Sequence, residues 1–184
     1  LKKAGTFIAG AAMLVWFLSN YPQDANLQKT YAQKIEYAQD EAQKVMFENE
    51  LKSKALENSY LGMIGKFSEP LVRPLGLDWK MNVALQTGLA AKEVVVSTLG
   101  VLYSLGEVDE TSSSLAKTIR DEIPFASAVA FIVVVMVYLP CLAAGVVFTR
   151  EAGGFKYFVY LVIFTSIAAY SLAFIAYRIA LMVT

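Results

Sequence analysis

Few residues in this chain are equipped for chemistry. They are a single thiol, Cys141, directly after Pro140, and an adjacent ammonium and carboxylate, Lys92 and Glu93, set in the otherwise apolar stretch GLAAKEVVVSTLG at residues 88–100. An ionised thiol is soft enough to coordinate iron, copper or zinc, and a carboxylate offers oxygens to hard or borderline cations. Proline inside a helix removes one backbone hydrogen bond and frees a carbonyl one turn back. YLPCLAAG, residues 138–145, therefore sets a freed carbonyl near Met136 close to the thiol.

Each of these features has a plainer alternative. A lone buried cysteine is most often a small hydrophobe. Lys92 either neutralises Glu93 in an internal pair or snorkels away to water, and the pair then marks no more than a hairpin tip. Ser97 and Thr98, one turn further on, either line a polar face or bond back to carbonyls of their own helix.

Composition narrows the field. The 184 residues are 57% hydrophobic with a mean hydropathy of +0.49, more than one soluble core of this size requires, so the chain is read as a membrane protein. Sixteen basic and sixteen acidic residues cancel, leaving no global field to attract nucleic acid. One cysteine excludes an intrachain disulfide framework, and the absence of histidine disfavours zinc enzymes and hydrolytic triads. No catalytic residues and no resident cofactor are expected.

The elements that must position these groups follow from the apolar runs. Residues 1–22 read as a transmembrane helix: Ala4 to Gln23 carry no charge, and Lys2 and Lys3 place its start in the cytoplasm. The chain opens at Leu1 without a small-residue cleavage site, which reads as a fragment beginning with a retained anchor.

Residues 23–59 are rich in Ala, Gln, Glu and Lys and lack Gly, the signature of an exposed helical insertion outside the membrane on the periplasmic side. The pairs Asp40/Lys44, Glu48/Lys52 and Glu50/Lys54 would support helix there, either one long exposed helix or a solvated helical hairpin or cap. Tyr31, Ile35, Ala38, Ala42 and Val45 would line one face, with Asn49 and Lys52 breaking any sustained heptad.

Residues 60–106, with Pro70 and Pro74 near their start, suit interfacial and broken helices. Residues 107–123 read as an outer loop. Residues 124–184 read as a two-helix transmembrane hairpin: Pro124 to Thr149 and Tyr157 to Tyr177 are both uncharged, and Arg150 and Lys156 mark the turn between them as cytoplasmic.

Counting crossings then constrains the middle. The first helix runs inside to outside and the helix from Pro124 also starts outside, so residues 60–106 cross an even number of times or enter and return. A continuous helix through Lys92 and Glu93 would place them near mid-membrane, at about 2.5–3.5 kcal/mol for the lysine alone. A re-entrant hairpin or a broken helix buried in protein avoids that cost. The expected fold is all-α, a polytopic helical membrane protein with a re-entrant hairpin and an extramembrane helical insertion.

GLAAKEVVVSTLGVLY, preceded by LGMIGKFSEPLVRPLGLDWKMNVAL and followed about thirty-five residues later by YLPCLA, resembles the second Gate region of the ferrous iron transport protein B family, the bacterial FeoB permeases. The resemblance implies a multi-pass inner-membrane permease for Fe²⁺ whose intact form carries an amino-terminal GTP-binding domain, with Mg²⁺, and two Gate repeats. No G-x-x-x-x-G-K-[ST] loop occurs in these residues, so the GTPase and the first Gate are expected in chain outside this sequence. In the family a cysteine of each Gate is thought to line the iron path, and Cys141 beside Pro140 matches it. The role of Glu93 as a second transient ligand is inferred from its chemistry, with Lys92, Ser97 and Thr98 in support. Family members commonly continue into a further helix and a basic tail.

The partners expected are the lipid bilayer, the remainder of the permease and further copies in a homo-oligomer, with no nucleic acid. Two other functions stand beside transport of Fe²⁺: a structural or assembly module acting through the insertion, and a Gate-type carrier for a nucleoside-like solute. Against the last, a sugar or base needs several fixed hydrogen-bonding groups, which are scarce in the spans.

Overall fold

The computed structural model describes residues 2–38, 40–89, 92, 94–103, 120–138 and 142–183. Among these residues there is no strand, and the architecture is all-α. In chain order the helices are α1 (Lys2–Asn20), α2 (Ala25–Glu36), α3 (Glu41–Asn58), α4 (Tyr60–Val72), α5 (Trp79–Gly88), α6 (Val94–Leu102), α7 (Phe125–Val137), α8 (Leu142–Glu151) and α9 (Phe155–Val183).

α1 stops where polar side chains turn back onto it. Ser19 Oγ donates to Val15 O at 2.8 Å and Asn20 Nδ2 to Trp16 O at 2.9 Å, and Pro22 then lacks the N–H needed to continue. Tyr60 N donates to Tyr21 O at 2.7 Å, so the start of α4 is tied to the end of α1 and the insertion between them returns to its point of departure.

The insertion consists of two helices. Asp24 caps α2, accepting from Asn26 N and Leu27 N, and α2 ends at Glu36 before α3 begins after Asp40. This turn divides the stripe expected from Tyr31 to Val45: Tyr31 is buried and Val45 exposed. It also changes the ion pairs. Lys44 meets Glu41 at 3.5 Å, while Lys54 and Lys66 both reach Glu57 at 2.9 Å. The hydrogen bonds from Lys54 and then Lys66 hold the Glu57 carboxyl below the usual range.

α3 is also joined to the rest of the molecule. Ser53 Oγ donates to Leu102 O at 3.1 Å, giving a partner to a carbonyl at the end of α6, where a helix leaves its last carbonyls without intrahelical donors. Ser59 is fully buried. It links α3 to α4 by donating to Leu56 O at 2.7 Å and accepting from Gly62 N at 3.2 Å.

Past α4, the chain turns through a 3₁₀ segment, Arg73–Leu75, into Gly76 at φ 72°, a left-handed conformation that costs a residue with a Cβ roughly 1–2 kcal/mol. A Cβ there would also run into Tyr177 and Ser127. Asp78 then caps α5 through Met81 N at 2.8 Å. α5 is the most enclosed element, with Met81, Asn82, Val83, Ala84, Leu85, Thr87 and Gly88 all buried. Its amide Asn82 is satisfied by Gly65 O at 2.9 Å and Ser68 Oγ at 2.8 Å.

The principal core joins Leu75, Leu77, Met81 and Ala84 to Val95 and Leu99 of α6, Ala130 and Phe131 of α7, and Ala173 of α9. α7 and α9 meet through small residues four apart, Ala126 and Ala130 on one and Ala169 and Ala173 on the other, all at most 3% exposed. Small side chains let two backbones approach closely enough for van der Waals packing to hold them, the usual device between apolar helices.

The region expected as one span from Pro124 to Thr149 is not one continuous helix. α7 ends at Val137 and α8 starts at Leu142. Among the described residues one helix, α9 with 29 residues, is long and apolar enough to cross a membrane by length and composition.

Candidate functional site

α5 and α6 are ten and nine residues long, each about 15 Å at 1.5 Å per residue, half of a hydrocarbon core of roughly 30 Å. They pack against each other as a hairpin whose turn contains Lys92. Gly88 makes the turn compact: a Cβ on it would collide with the Tyr138 hydroxyl and the Val95 side chain.

The turn is fastened to the end of α7. Lys92 Nζ donates to Val135 O at 2.8 Å and lies 5.0 Å from the centroid of the Tyr138 ring. The last carbonyls of a helix lack intrahelical donors and lie at its negative end, so an ammonium is a favourable partner there. Tyr138 reaches the opposite way, its hydroxyl 3.4 Å from Leu85 O in α5. Neither an internal pair with Glu93 nor snorkelling anticipates the bond from Lys92 to α7. Tyr138 bridges the same junction.

The two sides of α6 differ in chemistry. On one side lies a crevice of about 660 Å³ among α1, α3, α5 and α6, lined by Ser19, Asn20, Lys52, Thr87, Ser97 and Thr98 among others. On the other lies a cavity of about 480 Å³ walled by Met81, Val95, Leu99, Phe131 and Met136, with Lys92 at its edge.

Thr87 and Thr98, both buried, place their hydroxyl oxygens 3.0 Å apart, and Thr87 Oγ1 also donates to Ala84 O at 2.8 Å. The one hydroxyl proton of Thr87 being given to Ala84, Thr98 is the donor between the two. Thr98 thus points across the hairpin into the crevice region, and Ser97 lines the same crevice.

Of the residues expected to do chemistry, Lys92, Ser97 and Thr98 come together around this hairpin. Glu93, Pro140 and Cys141 lie outside the described residues. Thr87 was not singled out from the sequence, although a signal exists. A hairpin turning at Lys92 and Glu93 pairs positions equidistant from that point, and 87 and 98 are such positions.

The family description matching residues 1–155 is Gate, Nucleoside recognition. Over 182 residues the chain is 50% identical to the Fe(2+) transporter FeoB of Campylobacter jejuni, covering 98% of this chain and 27% of that protein. It is 46% identical over 186 residues to the Fe(2+) transporter FeoB of Helicobacter pylori strain J99, covering 96% of this chain and 29% of the relative. In Porphyromonas gingivalis it is 37% identical over 201 residues to an Fe(2+) transport protein A/Fe(2+) transporter FeoB fusion protein, covering 99% and 24%. The chain thus spans about a quarter of the length of the curated relatives it matches. No solved structure matches it. With a Gate match over most of its length and FeoB sequences aligned along nearly all of it, this chain belongs to the Gate family, in the part of that family found within FeoB transporters.

Proposed function

We propose that the chain forms one half of a path for Fe²⁺ through a multi-pass permease of the bacterial inner membrane. The observation that carries this reading is the junction of a half-length helical hairpin, hydroxyl-lined on one side of α6, with the end of α7 just before Pro140 and Cys141 in the chain.

In this reading Fe²⁺ exchanges part of its water shell for the Cys141 thiolate and the Glu93 carboxylate, and the hydroxyls of Thr98 and Ser97 offer oxygens along the crevice. A few weak ligands suit conduction, because an ion held tightly does not leave. Lys52 is the one formal charge among the described crevice residues and is exposed at its rim. In water it opposes a divalent cation about 8 Å away by about 1 kcal/mol, further screened by salt, which is too little to close the route.

The remaining assignments follow from the same reading. α1 and α9 cross the bilayer, α7 with α8 makes an interrupted crossing, and α5 with α6 enters and returns. The rest of the permease supplies the first Gate and the GTP-binding domain, and the assembly is a homo-oligomer.

Replacing Cys141 by Ser in the intact permease tests the ligand role. Ferrous uptake by iron-starved cells is expected to fall at unchanged membrane abundance, and uptake at the wild-type level sinks the assignment of Cys141.

A further inference from the structure

We infer that Lys92 is a positioning residue: it fixes the place of the hairpin turn relative to the end of α7, and with it the relation of the two chain segments that carry Glu93 and Cys141. The inference rests on the ion-path reading of those two residues and adds to it the part that holds them in register.

Three observations converge on this side chain. First, Lys92 is half-buried and is the sole polar side chain among the described lining residues of an otherwise apolar cavity, a setting that disfavours a free ammonium. Second, its charge is placed on Val135 O, a carbonyl 43 residues away and two residues from the end of α7, which no N–H of a continuing described helix satisfies. Third, the junction is closed by a second bridge in the reverse direction, from the Tyr138 hydroxyl to Leu85 O, and the Lys92 ammonium lies over the same Tyr138 ring.

The cross-links thus bracket the turn from both sides. One end lies next to Glu93 in the chain, and the other lies three residues before Cys141. A carbonyl capped by an ammonium is a charge-assisted bond, and its loss takes that donor from a part-buried acceptor, so the two segments lose their fixed relation before the surrounding core unpacks. Arginine also brings a cation and several donors to a helix end, whereas methionine keeps the length and apolar stem and removes both.

The test compares Lys92→Met and Lys92→Arg in the intact permease in three ways: ferrous uptake, membrane abundance, and alkylation of Cys141 by N-ethylmaleimide read at the level of its own peptide. At matched abundance, Lys92→Met is expected to change the alkylation rate of Cys141 by roughly tenfold and to lower the maximal uptake rate, while Lys92→Arg stays near wild type in both. Alkylation and uptake unchanged in Lys92→Met overturn the inference, as does a Lys92→Arg variant as altered as Lys92→Met. Should Lys92→Met not reach the membrane, Tyr138→Phe removes only the hydroxyl bridge. It is expected to shift Cys141 alkylation in the same direction by less, and no shift there counts against the inference. Wild-type uptake in Cys141→Ser, together with Cys141 alkylation in the cysteine-bearing permease that still responds to Lys92→Met, would remove the ligand reading and leave the positioning role standing.

Discussion

At the scale of single residues, the hydroxyls of the hairpin separate stability from transport. Thr98→Val removes the donor between the two threonines but leaves Thr87 bonded to Ala84 O, so the cost to folding is about 1 kcal/mol and the variant is expected at normal abundance. Uptake of Fe²⁺ is expected to drop, and Thr98→Ser, which keeps the oxygen, is expected to restore it. Uptake equal to wild type in Thr98→Val would show that the hydroxyl only holds the hairpin. The sequence indicated this site in part. Two adjacent charges in an apolar run, with the parity of crossings, point to a turn at Lys92, and the turn aligns Ser97 and Thr98 with it. The partner of Lys92 could not be read the same way, because a backbone carbonyl has no side-chain signature and lies 43 positions away.

At the scale of elements, the packing of α7 on α9 depends on alanines with no spare volume. Ala173 is fully buried, and Ala173→Leu is expected to overpack the contact with Ala130 and its neighbours by about 1–3 kcal/mol. Thermal unfolding of the purified permease in detergent checks this, and an unchanged midpoint would mean that the helices part without resistance. Among the described residues helix type was legible, since apolar runs and a Gly-free insertion admit little else. Element boundaries were less so. Hydropathy cannot see the gap between Val137 and Leu142 because no charge falls there, and proline is the only mark of it. The position of the turn between α2 and α3 was hidden because good helix formers continue across it, and Asp40, the residue that precedes α3, reads equally as a helix-surface acid.

At the scale of the whole molecule, the proposed topology makes the distribution of charge testable. Arg150 and Lys156 flank the turn at Gly153, where φ is 85°, while the insertion follows the end of α1 at Asn20. Membrane-impermeant labelling of single cysteines introduced at Ala152 and at Tyr37 in the intact permease is expected to mark position 37 from outside intact cells and position 152 only after permeabilisation. Equal labelling of both from one side would refute the orientation. Apolar side chains such as Phe164, Ile167 and Met182 stand exposed along α9, consistent with a helix whose surroundings are themselves apolar.

The bond from Ser53 to Leu102 gives the insertion a meaning that its composition conceals. A helix as short as α6 cannot supply partners for its own last carbonyls, and it borrows one from α3. The hydrophilic pair α2–α3 is therefore not an ornament on a finished core: the hydroxyl-bearing helix is completed by a hydrophilic neighbour, and whatever tugs on that pair pulls on the end of α6.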